Sequence, residues 1–347
     1  MKININEVAK RAGVSIATVS RAFNGNDLVR EETRTKILEV ARQLNYIPNP
    51  IARSLSRQAT DTIGVVLPDL VGEFFMDIIH GIDEEAYRQN WYVLVSSSHS
   101  QRNIIETLIE FMGSGRVDGV ILMAPQMHKE VAEIVLKSKR PVVLINACED
   151  LSDIVNFKIN NFEGAFNTIR HLVEVHGFRK IGIIKGPEGN CDSDERFAGY
   201  IEALNKLSVT SNKSFVVPGD FSVESGYNGF LNLIRKKERP DAIFASNDMM
   251  AVGAYKAAAE LGMKIPDDVA LVGFDDIYLS QFLTPRLTTV HVPLSELGRK
   301  AVQYLLDMVN GKVDKKEAYS ETIPTELKIG GSCGCSNFDY KNKELNN

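Results

Sequence analysis

The sequence predicts a small all-α helix-turn-helix head followed by two α/β subdomains with parallel sheets. Three observations carry that prediction. At 347 residues the chain is too long for one typical core and calls for two or three domains. Residues 5–25, INEVAKRAGVSIATVSRAFNG, place apolar residues at helical spacing on both sides of a glycine. From Thr62 onward, short apolar strands alternate with amphipathic helices, the pattern of parallel sheets covered on both faces.

In the head, Ile5, Val8, Ala9 and Ala12 recur at i, i+3, i+4 and i+7 and give one buried stripe. Asn4 precedes them with Glu7 three residues on, a capping arrangement for orphan N–H groups. Gly13 tolerates the positive φ of a helix end. Ser15 caps a second helix, whose Ile16–Phe23 run ends at Asn24-Gly25. The second helix of such a pair can lie in the major groove of DNA. Its outward residues include Ile16, Ala17 and Arg21, while Val19 and Phe23 face inward. Arg21 is the one among them able to make a two-pronged contact with guanine O6 and N7. A third helix is expected over residues 31–44, with Ile37, Val40, Ala41 and Leu44 facing the first two. Val29-Arg30 offers it no small polar cap, and Pro48 and Pro50 end the helical pattern.

Beyond the head, strands read at 62–67, 92–97, 119–122 and 141–145, with helices near 74–89, 102–113 and 129–138. A second set begins with a helix near 163–176. Strands at 180–184, 214–217, 241–245 and 269–273 follow, alternating with helices near 194–207, 224–236 and 248–261. Residues 288–293 lead into a helix over 294–310 and a last strand near 322–329. Ligands bind outside the carboxyl ends of parallel strands, so the expected pocket is a cleft between two facing sheets. The polar residues 336–347 are expected to be a disordered tail.

Composition narrows the function. Residues 1–60 hold 10 Lys/Arg against 5 Asp/Glu, a charge of +5; the remainder holds 30 against 40, a charge of −10. A basic head on an acidic body suits attraction of DNA by the head alone. No apolar run approaches the ~20 residues of a membrane span, and no signal peptide is read at the N-terminus. Four cysteines, at 148, 191, 333 and 335, are too few and too unevenly spaced for a disulfide framework. The expected location is cytoplasmic. The first strand turns into LPDLVGEFF rather than GxGxxG, and there is no P-loop or GxSxG elbow. The six histidines show no metal spacing, and Cys333-Gly334-Cys335 lacks that of a zinc pair. Neither catalysis, nor a metal, nor a cofactor is expected.

The wording AGVSxATVSRxxNG closely resembles the lactose-repressor (LacI/GalR) family of bacterial transcription regulators, and the resemblance runs almost to the C-terminus. It implies a head over 1–47, a hinge helix and linker over 48–61, and an effector-binding and dimerisation domain over 62–335. That domain would resemble periplasmic sugar-binding proteins, with a first subdomain of about 62–160 plus 293–329 and a second of about 161–292. NPIARSLSR, residues 49–57, matches the hinge helix that forms when two subunits sit on DNA. Leu55 matches the residue that wedges into the minor groove. The DNA-binding set is then Asn4, Ser15, Ile16, Ala17, Thr18, Arg21, Asn24, Ala52 and Leu55.

The same resemblance places Asp69, Phe74, Phe75, Asn146, Asn190, Asp192, Arg196, Phe221, Asn247 and Asp275 at the effector pocket or its edge. A guanidinium and a carboxylate offer fixed donors and acceptors to a polyol, and Phe74 or Phe221 can cover an apolar sugar face. The competing reading is that such Asp and Asn residues only cap the helices that follow. Two departures from the family stand out. Asn160-Asn161 replaces Asp-Asn before the crossover helix, and residues 329–333 lack an arginine before Ser332. The expected partners are a palindromic double-stranded operator, a small effector (most plainly a sugar) and a second copy of the chain, with no membrane. A corepressor protein stays open. A dimer is favoured over a tetramer because no C-terminal leucine heptad is present. The alternative function is a solute-binding protein without a DNA role.

Overall fold

The computed structural model describes residues 4–24, 28–47, 57, 59–68, 72–97, 104–125, 129–148, 154–314 and 319–335. The chain divides into two compact units, Met1–Asp61 with Gly115–Asp118, and the remaining residues. Among the described residues no helix is long and apolar enough to cross a membrane.

The first unit carries three helices, α1 (Ile5–Ala12), α2 (Ile16–Phe23) and α3 (Glu31–Gln43). The Asn4 side chain accepts from the N–H groups of Asn6 and Glu7, and Gly13 ends α1 at φ 71°. Ser15 accepts from Thr18 N–H and its hydroxyl meets that of Thr18 at 2.8 Å. Val8, Ala12, Val19 and Ile37 are fully buried between the helices. Phe23 is half-buried against Tyr46, with ring centroids 5.9 Å apart. As Val29-Arg30 suggests, α3 starts without a side-chain cap. The hinge expectation, Ala52 and Leu55 included, and the tail 336–347 lie outside the described residues.

In the second unit, a six-stranded sheet runs in the order β11-β5-β4-β3-β1-β2, every pair parallel. Its strands are β1 (Thr62–Leu67), β2 (Tyr92–Ser97), β3 (Gly119–Met123), β4 (Val142–Ile145), β5 (Val155–Ile159) and β11 (Ser320–Ile323). The intervening helices are α4 (Glu73–Arg88), α5 (Ile104–Gly113) and α6 (Lys129–Leu136). A four-stranded parallel sheet, β7-β6-β8-β9, uses β6 (Ile181–Ile184), β7 (Val216–Val217), β8 (Ala242–Ala245) and β9 (Ala270–Val272). It alternates with α7 (Asn161–Glu174), α8 (Cys191–Lys206), α9 (Val223–Ile234) and α10 (Asp248–Glu260). The chain then returns through β10 (Thr289–His291) and α11 (Leu294–Val309), and α11 packs on α4, β3 and β4. Helices α9 and α10 approach closely because a Cβ at Gly253 would fall on the carbonyl oxygen of Val223.

The structure departs from the sequence reading in four places. β5 was not expected because Asn156 and Lys158 interrupt its apolar residues. Burial of Asn156 is tolerated because its amide donates to Ala147 O at 3.0 Å and accepts from Ala147 N–H at 3.3 Å. The single last strand near 322–329 is two: β11 joins the large sheet, and β12 (Glu326–Lys328) pairs antiparallel with β10. Pro324 between them has no N–H to carry a ladder onward. Helix α8 starts at Cys191 rather than 194, because Asn190 caps it through Ser193 N–H at 3.1 Å. The cysteines do pair in part: Cys148 and Cys191 form a disulfide with Cα atoms 5.6 Å apart. Spacing gave no sign of it, since the two are brought together only when α8 packs beside the end of β4.

Candidate functional site

On α2, the side chains that spacing turned outward do face solvent. Ile16 is 49% exposed, Ala17 and Arg21 are exposed, and Thr18 is intermediate. Asn4 and Ser15 are committed to caps through their side-chain oxygens, so each holds a helix start whose free N–H groups favour phosphate. Asn24 is the half-buried residue that ends α2. Arg21→Ala is expected to lower affinity for a specific site by about 1–3 kcal/mol while leaving weak non-specific binding. Gel shifts on specific and scrambled duplexes read this; an unchanged ratio would remove Arg21 as the base reader.

At the carboxyl ends of the strands in the second unit lies a cavity of 130 Å³. Phe74 and Phe75 enter from the first turn of α4, their rings edge to face at 5.3 Å. Asn190, Asp192 and Arg196 enter from the start of α8, Phe221 from the loop before α9, and Asn247 from the cap of α10. Seven residues singled out from the sequence thus line one space. Asp69 lies outside the described residues. The cavity is roofed across the two sheets: Leu279 N–H donates to Glu73 at 3.1 Å, and Cys191 N–H donates to Pro125 O at 3.1 Å.

Arg196 organises the floor. It is 2% exposed, and each guanidinium nitrogen has a protein partner. Nε donates to Asn161 Oδ1 at 2.8 Å and Nη1 to Ser246 O at 2.6 Å. Nη2 pairs with Asp275 at 3.1 Å. The guanidinium also lies 3.8 Å from the centroid of the Phe274 ring. Asp275 and Asn146, expected at the pocket or its edge, are not among its lining residues. Asp275 is turned to Arg196, and Asn146 uses Oδ1 to accept from Ile159 N–H at 2.8 Å, so both stand behind the wall. Asn146, Phe221 and Asp275 are all held at positive φ, at 50°, 69° and 108°. Non-glycine residues in that region are costly and cluster at binding sites. A Cβ at Gly186 would strike the Phe221 ring, which explains glycine there.

Asn161, not among the expected site residues, proves central. It is 1% exposed, receives Arg196 and donates to Asp192 Oδ1 at 2.8 Å. The capping reading is right for two of the expected residues, since Asn190 caps α8 and Asn247 caps α10, and Asn160 likewise caps α7. Asn247 also donates to Phe221 O at 3.2 Å. Asp248 does not cap; it accepts from Ile277 N–H at 3.0 Å and from the Thr289 hydroxyl at 2.6 Å, fastening α10 to the returning chain. Glu73, Met123, Pro125, Met249 and Ile277 also line the cavity and were missed. Nothing in the local pattern marks an apolar Met or Ile as pocket rather than core.

Three buried carboxyl groups meet here. Burial pushes Asp275 up to about 7, against the opposing pull of Arg196, with Asp192 adding to the rise. Burial raises Asp192 as well, again opposed by Arg196. Burial, then the nearby Asp275, raises Asp248 well above the usual range. A carboxyl whose folded-state value is raised stabilises the fold fully below its unfolded value, and the contribution is lost as pH rises through the folded value. The Asp275 contribution is therefore lost as pH climbs toward and through about 7. Its slope can reach about 1.4 kcal/mol per pH unit. Asp275→Asn is expected to flatten that loss in urea unfolding between about pH 5 and about pH 8. An unchanged slope would mean that Asp275 does not titrate there.

The fold also brings together four side chains whose spacing in the sequence showed no metal pattern. His171, His176, Cys333 and Cys335 bring their ligand atoms within 4.8 Å of one another, away from the cavity.

Residues 4–49 match the model for bacterial regulatory proteins, lacI family, and residues 169–333 match a periplasmic binding protein-like domain. The transcriptional repressor PurR of Haemophilus influenzae (strain PittEE) is 34% identical over 331 residues, covering 94% of this chain and 97% of that protein. PurR of Pectobacterium carotovorum subsp. carotovorum (strain PC1) is 35% identical over 340 residues, covering 97% and 99%. Among solved structures, the lac repressor dimer bound to operator and the anti-inducer ONPF matches with TM-score 0.85 and 26% identity, covering 96% and 99%. A complex of the regulator CelR with cellobiose matches with TM-score 0.73 and 27% identity, covering 95% and 99%. A LacI family regulator from Enterococcus faecium with bound ribose matches with TM-score 0.70 and 27% identity, covering 78% and 98%.

Proposed function

The chain belongs to the lacI family of bacterial regulatory proteins, and we propose that a sugar in the cavity between its two sheets sets its grip on a palindromic operator. It is a DNA-binding transcriptional repressor with a ligand-binding domain, not an enzyme. The observation that carries the sugar is the mixed lining: Phe74, Phe75 and Phe221 line the same cavity as Asp192, Asn190 and Asn247. A pyranose or furanose ring needs both, an apolar wall for its C–H face and buried acceptors and donors for its hydroxyls. At 130 Å³ the cavity is well under the roughly 300 Å³ where drug-sized pockets begin, so one ring fits better than an oligosaccharide.

The rest of the reading follows from that function. The chain works as a homodimer in the cytoplasm, because one recognition helix reads too few base pairs and two give a two-fold site. Residues 1–47 read the operator, 48–61 form the hinge with Ala52 and Leu55 at the minor groove, and 62–335 bind effector. Arg21 reads bases. A solute-binding protein without a DNA role is disfavoured by the outward α2 surface.

A thermal-shift panel of sugars, with free nucleobases alongside, tests the effector class, since a ligand raises apparent stability by RT ln(1 + [L]/Kd). A monosaccharide hit that also changes operator affinity in a DNA titration supports the proposal. A nucleobase hit, or no sugar hit at millimolar concentration, overturns it.

A further inference from the structure

We propose that His171, His176, Cys333 and Cys335 bind one Zn²⁺ as a closed tetrahedral S₂N₂ site that fastens residues 333–335 to α7. The two imidazole Nε2 atoms lie 3.3 Å apart, and Cys335 Sγ lies 3.6 Å from that of His171 and 3.4 Å from that of His176. A tetrahedral zinc with Zn–N of about 2.05 Å and Zn–S of about 2.3 Å has an N···N edge of about 3.3 Å and an N···S edge of about 3.6 Å. Three atoms therefore already form one face of that tetrahedron. The fourth, Cys333 Sγ, is within 4.8 Å of each of them, close enough to reach the last vertex by a small rotation.

The backbone is arranged for convergence. His171 is in the last turn of α7, and His176 follows the helix end, its ring stacked on Phe178 at 5.4 Å. On the opposite side, Gly334 at φ 102° turns the chain between the two cysteines. A Cβ there would lie 3.4 Å from the His176 ring. The cysteine segment is itself anchored. Ser332 donates to Leu271 O at 2.6 Å and accepts from Thr288 N–H at 2.7 Å. The Thr288 hydroxyl reaches Cys333 Sγ at 3.1 Å, a donor suited to a thiolate ligand. Four ligands, two of them sulfur, with no vertex left over describe a structural zinc site rather than a catalytic one. Binding replaces two S–H bonds by two Zn–S bonds and releases two protons. The sequence hid the site because the histidine and cysteine pairs are far apart in the chain, and only the return of the last segment onto α7 joins them.

The test uses untagged full-length protein, since an affinity tag would itself bind zinc. Metal analysis after dialysis is expected to find about one zinc per chain. His176→Ala and Cys335→Ser are each expected to lose at least nine-tenths of it, while the Cys148→Ser/Cys191→Ser double variant keeps it. Should the first two variants fail to fold, cobalt titrated into zinc-free wild type decides. Intense visible bands of a tetrahedral thiolate complex, saturating near one equivalent, support the site. Wild-type protein that stays folded yet takes up neither metal stoichiometrically overturns it, as does zinc retained in both His176→Ala and Cys335→Ser.

Discussion

Arg196→Ala is expected to cost the effector domain about 3–5 kcal/mol of stability, the loss seen when one partner of a buried ion pair is removed. From the sequence, Arg196 reads as a hand held out to the effector, and its removal should then leave the empty protein intact. The structure gives it another job. Its nitrogens are divided among Asn161, Ser246 and Asp275, which tie together α7, the end of β8 and the loop after β9. Truncation leaves Asp275 and Asp192, both nearly inaccessible, without the Arg196 charge that opposes their shifts. Urea unfolding followed by circular dichroism measures the loss. Adding Asp275→Asn to Arg196→Ala should recover a substantial part of it, because no ionisable carboxyl is then left buried without its partner. A single variant within about 1 kcal/mol of wild type would mean that water reaches the site and the pair contributes little.

What the sequence disclosed and what it hid follow one physical line. The helices of the head were legible because capping and 3.6-residue periodicity are local, and Asn4, Gly13 and Ser15 take the roles that their types dictate. The buried strands β1, β3 and β4 were legible as unbroken apolar runs. β5 was not, because Asn156 is tolerated only through a backbone partner nine residues away. The pocket was legible where chemistry sits at strand ends, as with Phe74, Asp192 and Phe221. It was less legible where a polar residue serves another: Asn146 and Asp275, expected at the pocket or its edge, are engaged by Ile159 N–H and Arg196, and Asn161 links Arg196 to Asp192. The Cys148–Cys191 disulfide and the His/Cys cluster were hidden for a related reason. Each joins residues whose proximity is decided by packing of whole helices, on which spacing is silent.

Asp192→Asn should weaken effector binding by about 2–5 kcal/mol, the cost of truncating one side of a buried, hydrogen-bonded charge, and so raise Kd roughly 30-fold or more. Asp192 lines the cavity while Asn161 donates to its Oδ1 at 2.8 Å. The substituted amide must turn its oxygen toward Asn161 to keep that bond, which points its NH₂ group at the cavity. An acceptor becomes a donor there with hardly any change in shape, so a ligand hydroxyl that donated to the carboxylate meets another donor. The fold should survive, because a neutral side chain is easier to bury than a carboxylate whose proton affinity burial has already raised. Operator affinity without effector should stay within about threefold of wild type, since a ligand shifts the DNA-competent population only through its own differential affinity. The effector concentration needed to change DNA binding should move in step with Kd. Calorimetry with the sugar identified by the thermal panel, and operator titration with and without it, measure both. An effector Kd near wild type would place the ligand away from Asp192. A change in operator affinity without effector would make Asp192 a positioning residue for the conformational change itself.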